Sequence, residues 1–270
     1  MELRKPATLA AFREEALSLL VRYEIEHGLI FTVASAPNPP VDAYSAIVVH
    51  DGEVVAAAIR TIKKAAISHE DAPGAMALIA ADLLRDPKLE GLIGPRDSIT
   101  AFTAASGREW REGMSQGIYE CRRVIPPRRP IGFRRLVLPP DKPLLARWIQ
   151  AFIREAGGED QSIDDSMKTA ERHIASQGTF FWVVGDEPVS YAGAYNATPN
   201  GVRIGPVYTP PEHRSRGFAG ALVADITQRE LDRGRAFAYL YTNLANPTSN
   251  ALYQRLGYRR VSEAADFWLV

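Results

Sequence analysis

Cysteine is nearly missing from this chain: its 270 residues contain only Cys121. One thiol closes no intramolecular disulfide and builds no cysteine-based zinc site, so a reducing compartment is the natural setting. Net charge is missing as well, since 32 Lys and Arg balance 32 Asp and Glu. A chain with no charge excess has no global electrostatic pull toward nucleic acid or an anionic membrane. Long apolar runs are also lacking. The apolar residues around Leu9 and Leu17 are interrupted by Arg13, Glu14 and Glu15, which breaks a signal-peptide core, and no run approaches a membrane span. The expectation is a soluble, cytoplasmic protein without metal, nucleic-acid or membrane partner, monomeric or homodimeric.

What the chain has is a 46% apolar fraction, enough for one large or two medium domains. A repeat favours two. Residues 44–61 and 179–198 both read as strand, tight turn, strand. Helical faces precede each, one with Leu9, Phe12, Ala16, Leu19 and Tyr23, the other with Leu144, Trp148 and Phe152 and later Met167 and Ile174. A short strand and a helix follow each, Ala75 to Leu84 and Phe218 to Leu231. Between the copies, prolines 126, 127, 130, 139, 140 and 143 suit a stiff connector, with an edge strand over Phe133 to Leu138. The boundary is expected near 130, giving domains 1–130 and 131–270.

The stretch from Val207 to Leu222 reads as a strand end, a Pro-rich turn, and an Arg/Gly-rich loop opening a helix. Small residues Gly217, Ala219 and Gly220 let consecutive amides approach a ligand, and the positive helix end favours a pyrophosphate. Arg214 and Arg216 add charge beside it. Gly234 can stop this helix, and Ala236 to Thr242 reads as an aromatic-rich strand. Asn246-Pro247 then starts a helix ending at Gly257, which places Asn246, Asn250 and Tyr253 on one polar stripe.

The string Arg214-x-x-Gly217-x-Ala219 resembles the acyl-CoA pyrophosphate signature of the GCN5-related N-acetyltransferase (GNAT) family. The string from Asn243 to Gly257 resembles the second half of that family's cofactor site. The resemblance is close over about residues 180–262 and implies an α/β (mixed α+β) fold of tandem GNAT-like domains, each a mixed, mostly antiparallel sheet flanked by helices. It implies acetyl-CoA as cosubstrate and a small-molecule primary amine as acceptor, attacked directly in a ternary complex. The implied cofactor contacts are Val207, Tyr208, Thr209, Arg214, Ser215, Arg216, Gly217, Phe218, Ala219, Gly220, Asn243, Asn246, Asn250 and Tyr253. In the resemblance the strand ending at Thr209 splays from the strand 236–242 to admit the pantetheine arm, the Val207 amide polarises the thioester, and Tyr253 is the catalytic acid toward sulfur. Many relatives place a glutamate on the strand equivalent to 202–207 as base; this chain reads Val-Arg-Ile-Gly-Pro-Val there. Glu155, Glu159 and Asp160, in the loop after the Trp148 helix, read either as groups that deprotonate or bind a cationic substrate or as solvated surface acids.

The first copy departs from the pattern. It has Ser68-His-Glu-Asp-Ala-Pro-Gly74 where the second has Arg214 to Gly220, which sets acids beside a would-be pyrophosphate and removes an amide at Pro73. It is expected to hold no cofactor. Structural readings stand beside several functional ones: Tyr253 as a core tyrosine, Asn246 as an N-cap, Cys121 as a small hydrophobe, His213 as a solvent-facing loop residue and His27 as a helix C-terminal residue. Arginines 122, 123, 128, 129, 134 and 135 read as a solvated or inter-domain face. The rival functions are transfer of a longer acyl chain, acetylation of a protein amine, and a silent acyl-CoA-binding module.

Overall fold

Asp51 and Gly52 both have positive φ, 50° and 85°, the backbone of a two-residue hairpin turn. They join β2 (Tyr44–His50) to β3 (Glu53–Arg60), as the alternating sequence predicts. The computed structural model describes residues 1–36, 39–158, 161–195 and 198–270. Before the hairpin lie β1 (Glu2–Arg4), α1 (Leu9–Glu15), α2 (Leu17–Arg22) and α3 (Gly28–Ala34); after it come β4 (Lys64–Ile67), α4 (Ala75–Leu83), β5 (Gly91–Pro95), α5 (Arg96–Ser106), β6 (Trp110–Glu112) and β7 (Gln116–Cys121). The second half repeats this order with β8 (Phe133–Leu136), α6 (Lys142–Glu155), α7 (Ile163–Ala175), β9 (Thr179–Val184), β10 (Glu187–Tyr195), β11 (Gly201–Tyr208), α8 (Phe218–Asp232), β12 (Phe237–Asn243), α9 (Pro247–Arg255) and β13 (Arg259–Leu269).

The described strands form one sheet in the order β1-β2-β3-β4-β5-β13-β7-β12-β11-β10-β9-β8, with β6 also pairing β13. Pairs β4–β5 and β11–β12 are parallel because a crossover helix, α4 or α8, returns the chain between them. Each half buries both faces of its strands. In the first, α1–α3 pack on Ile47, Ala57 and Ile59, and α4–α5 on Val48, Ala56 and Ala58. In the second, α6 and α7 cover Phe181, Val183 and Tyr191, and α8 covers Phe180, Ala192, Val202 and Ile204. Trp182, Phe181 and Tyr191 are fully buried, and each such side chain removed from water contributes on the order of 2 kcal/mol.

The two halves exchange strands. β7 precedes the expected boundary near 130, yet it pairs β12 over Ala238↔Cys121 to Asn243↔Gln116 and β13 on its other edge. β13, the last strand, runs on to pair β5 over Ala264↔Pro95 to Trp268↔Gly91. Each half's sheet is thus continued by a strand of the other. A carboxylate pins the same junction: Glu24, 7% exposed, accepts from Asn200 N at 2.7 Å, Asn200 Nδ2 at 2.7 Å and Gly201 N at 3.2 Å, and from the Thr198 hydroxyl. His27 is not at a helix C-terminus as its neighbour Gly28 suggests. Gly28 opens α3 instead, and a Cβ there would lie 2.5 Å from the Tyr239 hydroxyl, so the position requires glycine for close approach. His27 is fully buried, with Nδ1 on Leu20 O and Nε2 accepting the His69 amide at 2.9 Å.

Candidate active site

β11 and β12 pair only at Gly201↔Phe237, Val202↔Ala238 and Arg203↔Tyr239. Beyond that rung the strands part, while β12 keeps its partner β7 on the other edge as far as Asn243. The edge of β11 after Arg203 therefore faces a gap, the splay anticipated for residues 205–209. Beyond β11 a turn over Pro211–His213 leads to α8. Ser215 (φ 59°) and Gly217 (φ 81°) both adopt left-handed backbone, which turns successive amides toward one side. The first backbone bond of α8 is Ala221 N to Gly217 O at 3.0 Å, so the preceding helical amides have no intrahelical acceptor. A Cβ on Gly217 would meet nothing within 4 Å, so the space beside this residue is open. Phe218 is buried in the core, Ala219 and Gly220 follow in the first turn, and a Cβ on Gly220 would lie 3.1 Å from Leu252 Cδ1, which brings α8 close to α9.

The two loop arginines behave differently. Arg214 donates from Nε to Thr209 O at 2.8 Å and from Nη2 to both carboxylate oxygens of Glu155 at 2.8 and 2.6 Å. Arg216 is exposed, lies 4.9 Å over the Phe218 ring, and has no carboxylate partner among the described residues. Thr209 Oγ1 lies 2.8 Å from Ser190 Oγ. Tyr208 packs away from the gap, its ring 6.3 Å from those of Trp148 and Tyr191, while Val207 is half-buried against the α8 side. Glu155 is thus occupied by Arg214, and Glu159 and Asp160 lie outside the described residues. His213 is not solvent-facing: its side chain is 13% exposed, with Nε2 at 3.5 Å from Glu187.

On the other side of the gap, α9 carries Tyr253, 8% exposed, its ring edge-on to Tyr258 at 5.9 Å. Burial pushes its phenol up to about 12, so it is fully protonated at neutral pH. Asn243 Oδ1 accepts the Ala245 amide at 2.8 Å, and Asn246 Oδ1 caps α9 through the Ser249 amide at 3.1 Å. Both asparagines have structural duties. Asn250 differs. Its Nδ2 donates to Asn243 O and Leu244 O at 3.2 Å, but its Oδ1 is buried and accepts nothing among the described residues. A buried orphan acceptor is costly unless a ligand donor satisfies it.

The corresponding loop of the first half keeps the glycine-capped turn but differs at the helix end. Gly74, at φ 91°, caps α4 as Gly217 caps α8. There Glu70 Oε1 accepts the Met76 amide at 2.8 Å, so the chain's own carboxylate occupies the helix end. Asp71 pairs with Arg22. The arginine-rich stretch is likewise engaged internally: Arg129 with Asp225 and over Trp182, Arg135 with Asp141, Arg134 over Phe180. Among the described residues no His, Cys, Asp and Glu cluster is placed to hold a metal, and no helix is long and apolar enough to cross a membrane.

Two halves joined in one sheet, each with a parallel strand pair connected through a glycine-capped helix, form a tandem GNAT-like fold. The model of the FR47-like protein family, which is GNAT-related, matches residues 186–269. Solved structures share the whole architecture. A GNAT-family acetyltransferase from Colwellia psychrerythraea superposes with a TM-score of 0.63 at 8% identity, covering 100% of this chain and 99% of its own. A GCN5-related N-acetyltransferase from Sphaerobacter thermophilus gives a TM-score of 0.63 at 17% identity over 98% and 94%. A tandem GNAT protein from the clavulanic acid biosynthesis pathway gives a TM-score of 0.60 at 15% identity over 100% and 98%. Among curated protein sequences none matches the chain.

Proposed function

We propose that the chain is an acetyl-CoA-dependent N-acetyltransferase with one site, built in residues 131–270, and that residues 1–130 form a degenerate, non-binding copy. The observation that carries this is the contrast between two equivalent helix ends. At α8 the amides around Gly217 are open and flanked by Arg214 and Arg216; at α4 the same position is filled by Glu70. Open amides, a helix end and two guanidiniums fit a diphosphate. The orphan Asn250 Oδ1 fits an amide donor on the pantetheine arm.

In this reading the Arg203-to-Tyr208 edge of β11 binds the arm, with the Val207 amide donating to the thioester carbonyl as negative charge develops there. The acceptor amine attacks the carbonyl carbon, the C–S bond breaks, and Tyr253 gives its phenolic proton to the departing sulfur. The attacking nitrogen loses its proton to solvent water or to a neighbouring ionised carboxylate acting as base. The Tyr253 hydroxyl has burial as the one cause of its shift and makes no described hydrogen bond, so it is free to serve the sulfur, which favours catalysis over a silent binding module. Free-thiol release from acetyl-CoA across a panel of primary amines tests the proposal. Amine-dependent release is expected; binding of acetyl-CoA with no release above background would refute the enzymatic reading.

A further inference from the structure

Val202 and Ile204 lie in the core under α8, so strand alternation sends Arg203 to the opposite face of β11. It stands in register between Tyr195 of β10 and Tyr239 of β12, on the last rung before β11 and β12 part. Its guanidinium lies 5.0 Å over the ring of Tyr241. Tyr241 is itself held, its hydroxyl donating to Ile25 O at 3.2 Å. Arg203 is half-buried, yet among the described residues no carboxylate pairs with it. Other arginines of this chain do find acids: Arg60 with Asp86, Arg96 with Glu112, Arg135 with Asp141 and Arg214 with Glu155.

A guanidinium that is partly desolvated, oriented by an aromatic face and left without a counter-ion is a prepared anion site, because its planar donor fork matches a carboxylate or phosphate. Its place also matters. If the diphosphate binds at the α8 end as proposed, on one side of the sheet, the Arg203 face of β11 is the side left for an acceptor. Resting on the acyltransferase reading, we infer that Arg203 is a specificity-determining residue of the acceptor site, binding an anionic group carried by the amine that is acylated. A guanidinium stays protonated through the whole working pH range, so its role is anchoring and not base catalysis.

The test compares the full chain with Arg203→Gln and Arg203→Lys. Three probe sets are used: L-amino acids, the amines left when their carboxylates are removed, and O-phosphoethanolamine with ethanolamine. Thiol release gives kcat and KM, thermal shift gives acceptor binding without turnover, and calorimetry gives acetyl-CoA affinity. At least one anionic acceptor is expected to exceed its uncharged counterpart tenfold in kcat/KM; whether the carboxylates or the phosphate show this identifies the group. Arg203→Gln should erase that ratio mainly through KM, Arg203→Lys should restore part of it, and acetyl-CoA affinity should stay within twofold. A preference for uncharged amines, or an anionic preference that survives Arg203→Gln, overturns the inference. If no amine is acylated, the enzymatic reading fails; anion-dependent thermal stabilisation lost in Arg203→Gln would still support the anchor, and its absence would overturn it.

Discussion

Gly217 allows backbone strain to be separated from charge. Its φ of 81° is left-handed, and a Cβ there meets nothing within 4 Å, so alanine adds strain without a clash. Left-handed backbone costs a non-glycine residue on the order of 1–2 kcal/mol, which Gly217→Ala should show as lost unfolding free energy. Gly217→Asp carries the same strain and adds a carboxylate where phosphate oxygens would lie. Two unit charges about 5 Å apart interact by roughly 3 kcal/mol at an effective dielectric of about 20. Salt and the exposed Arg216 reduce this, so acetyl-CoA affinity should fall at least about tenfold below that of the alanine variant, equivalent to ~1.4 kcal/mol. Calorimetric titration of both folded variants at low and high salt reads the difference. The gap should narrow as salt rises. Equal affinities for the Ala and Asp variants at low salt would refute the pyrophosphate assignment.

Tyr253→Phe should leave acetyl-CoA affinity nearly intact and slow single-turnover acetyl transfer by about 10² to 10⁴, the usual worth of general acid catalysis; equal rates would demote Tyr253 to packing. Burial depresses His27 to about 3, reinforced by His69, and His173 to about 4. Because the unfolded chain protonates these imidazoles near 6.5, their contribution is complete above that pH. It falls by about 2 kcal/mol each on acidification to pH 5, measurable by denaturant unfolding at pH 7.5 and 5; pH-independent stability across that window would contradict the burial of both rings. Residues 131–270 expressed alone should fail to give a cooperative unfolding transition, because β12 and β13 lose β7 between them. Adding residues 113–130 should restore part of the structure, and a stably folded 131–270 fragment would contradict the strand exchange as a requirement.

The elements were legible wherever sequence punctuation is strong. The Asp51-Gly52 turn, the Gly217 helix start, the Asn246-Pro247 start and the Gly257 stop all appear where their backbone preferences put them. The exchange of β7 and β13 was not legible, because a strand's alternation specifies which face it buries and says nothing about its neighbour. Glu70 was visible as an acid near a helix start, but only coordinates show its carboxylate on the Met76 amide. Glu24 carried no local signal at all, since its four donors lie far along the chain in the β10–β11 turn and at the start of β11. Arg203 was readable only as the absence of an acid on β11; its unpaired state belongs to three dimensions.

The central claim is that one of two homologous-looking helix ends binds acetyl-CoA and the other is filled by its own carboxylate. The number of acetyl-CoA molecules bound per chain at saturation, measured calorimetrically on the 270-residue chain, tests it most directly. The account predicts one, with affinity lowered at least about tenfold by Gly217→Asp relative to Gly217→Ala and unchanged by Glu70→Gln. A stoichiometry of two, or an affinity unmoved by Gly217→Asp but lost on changing Glu70, would contradict it.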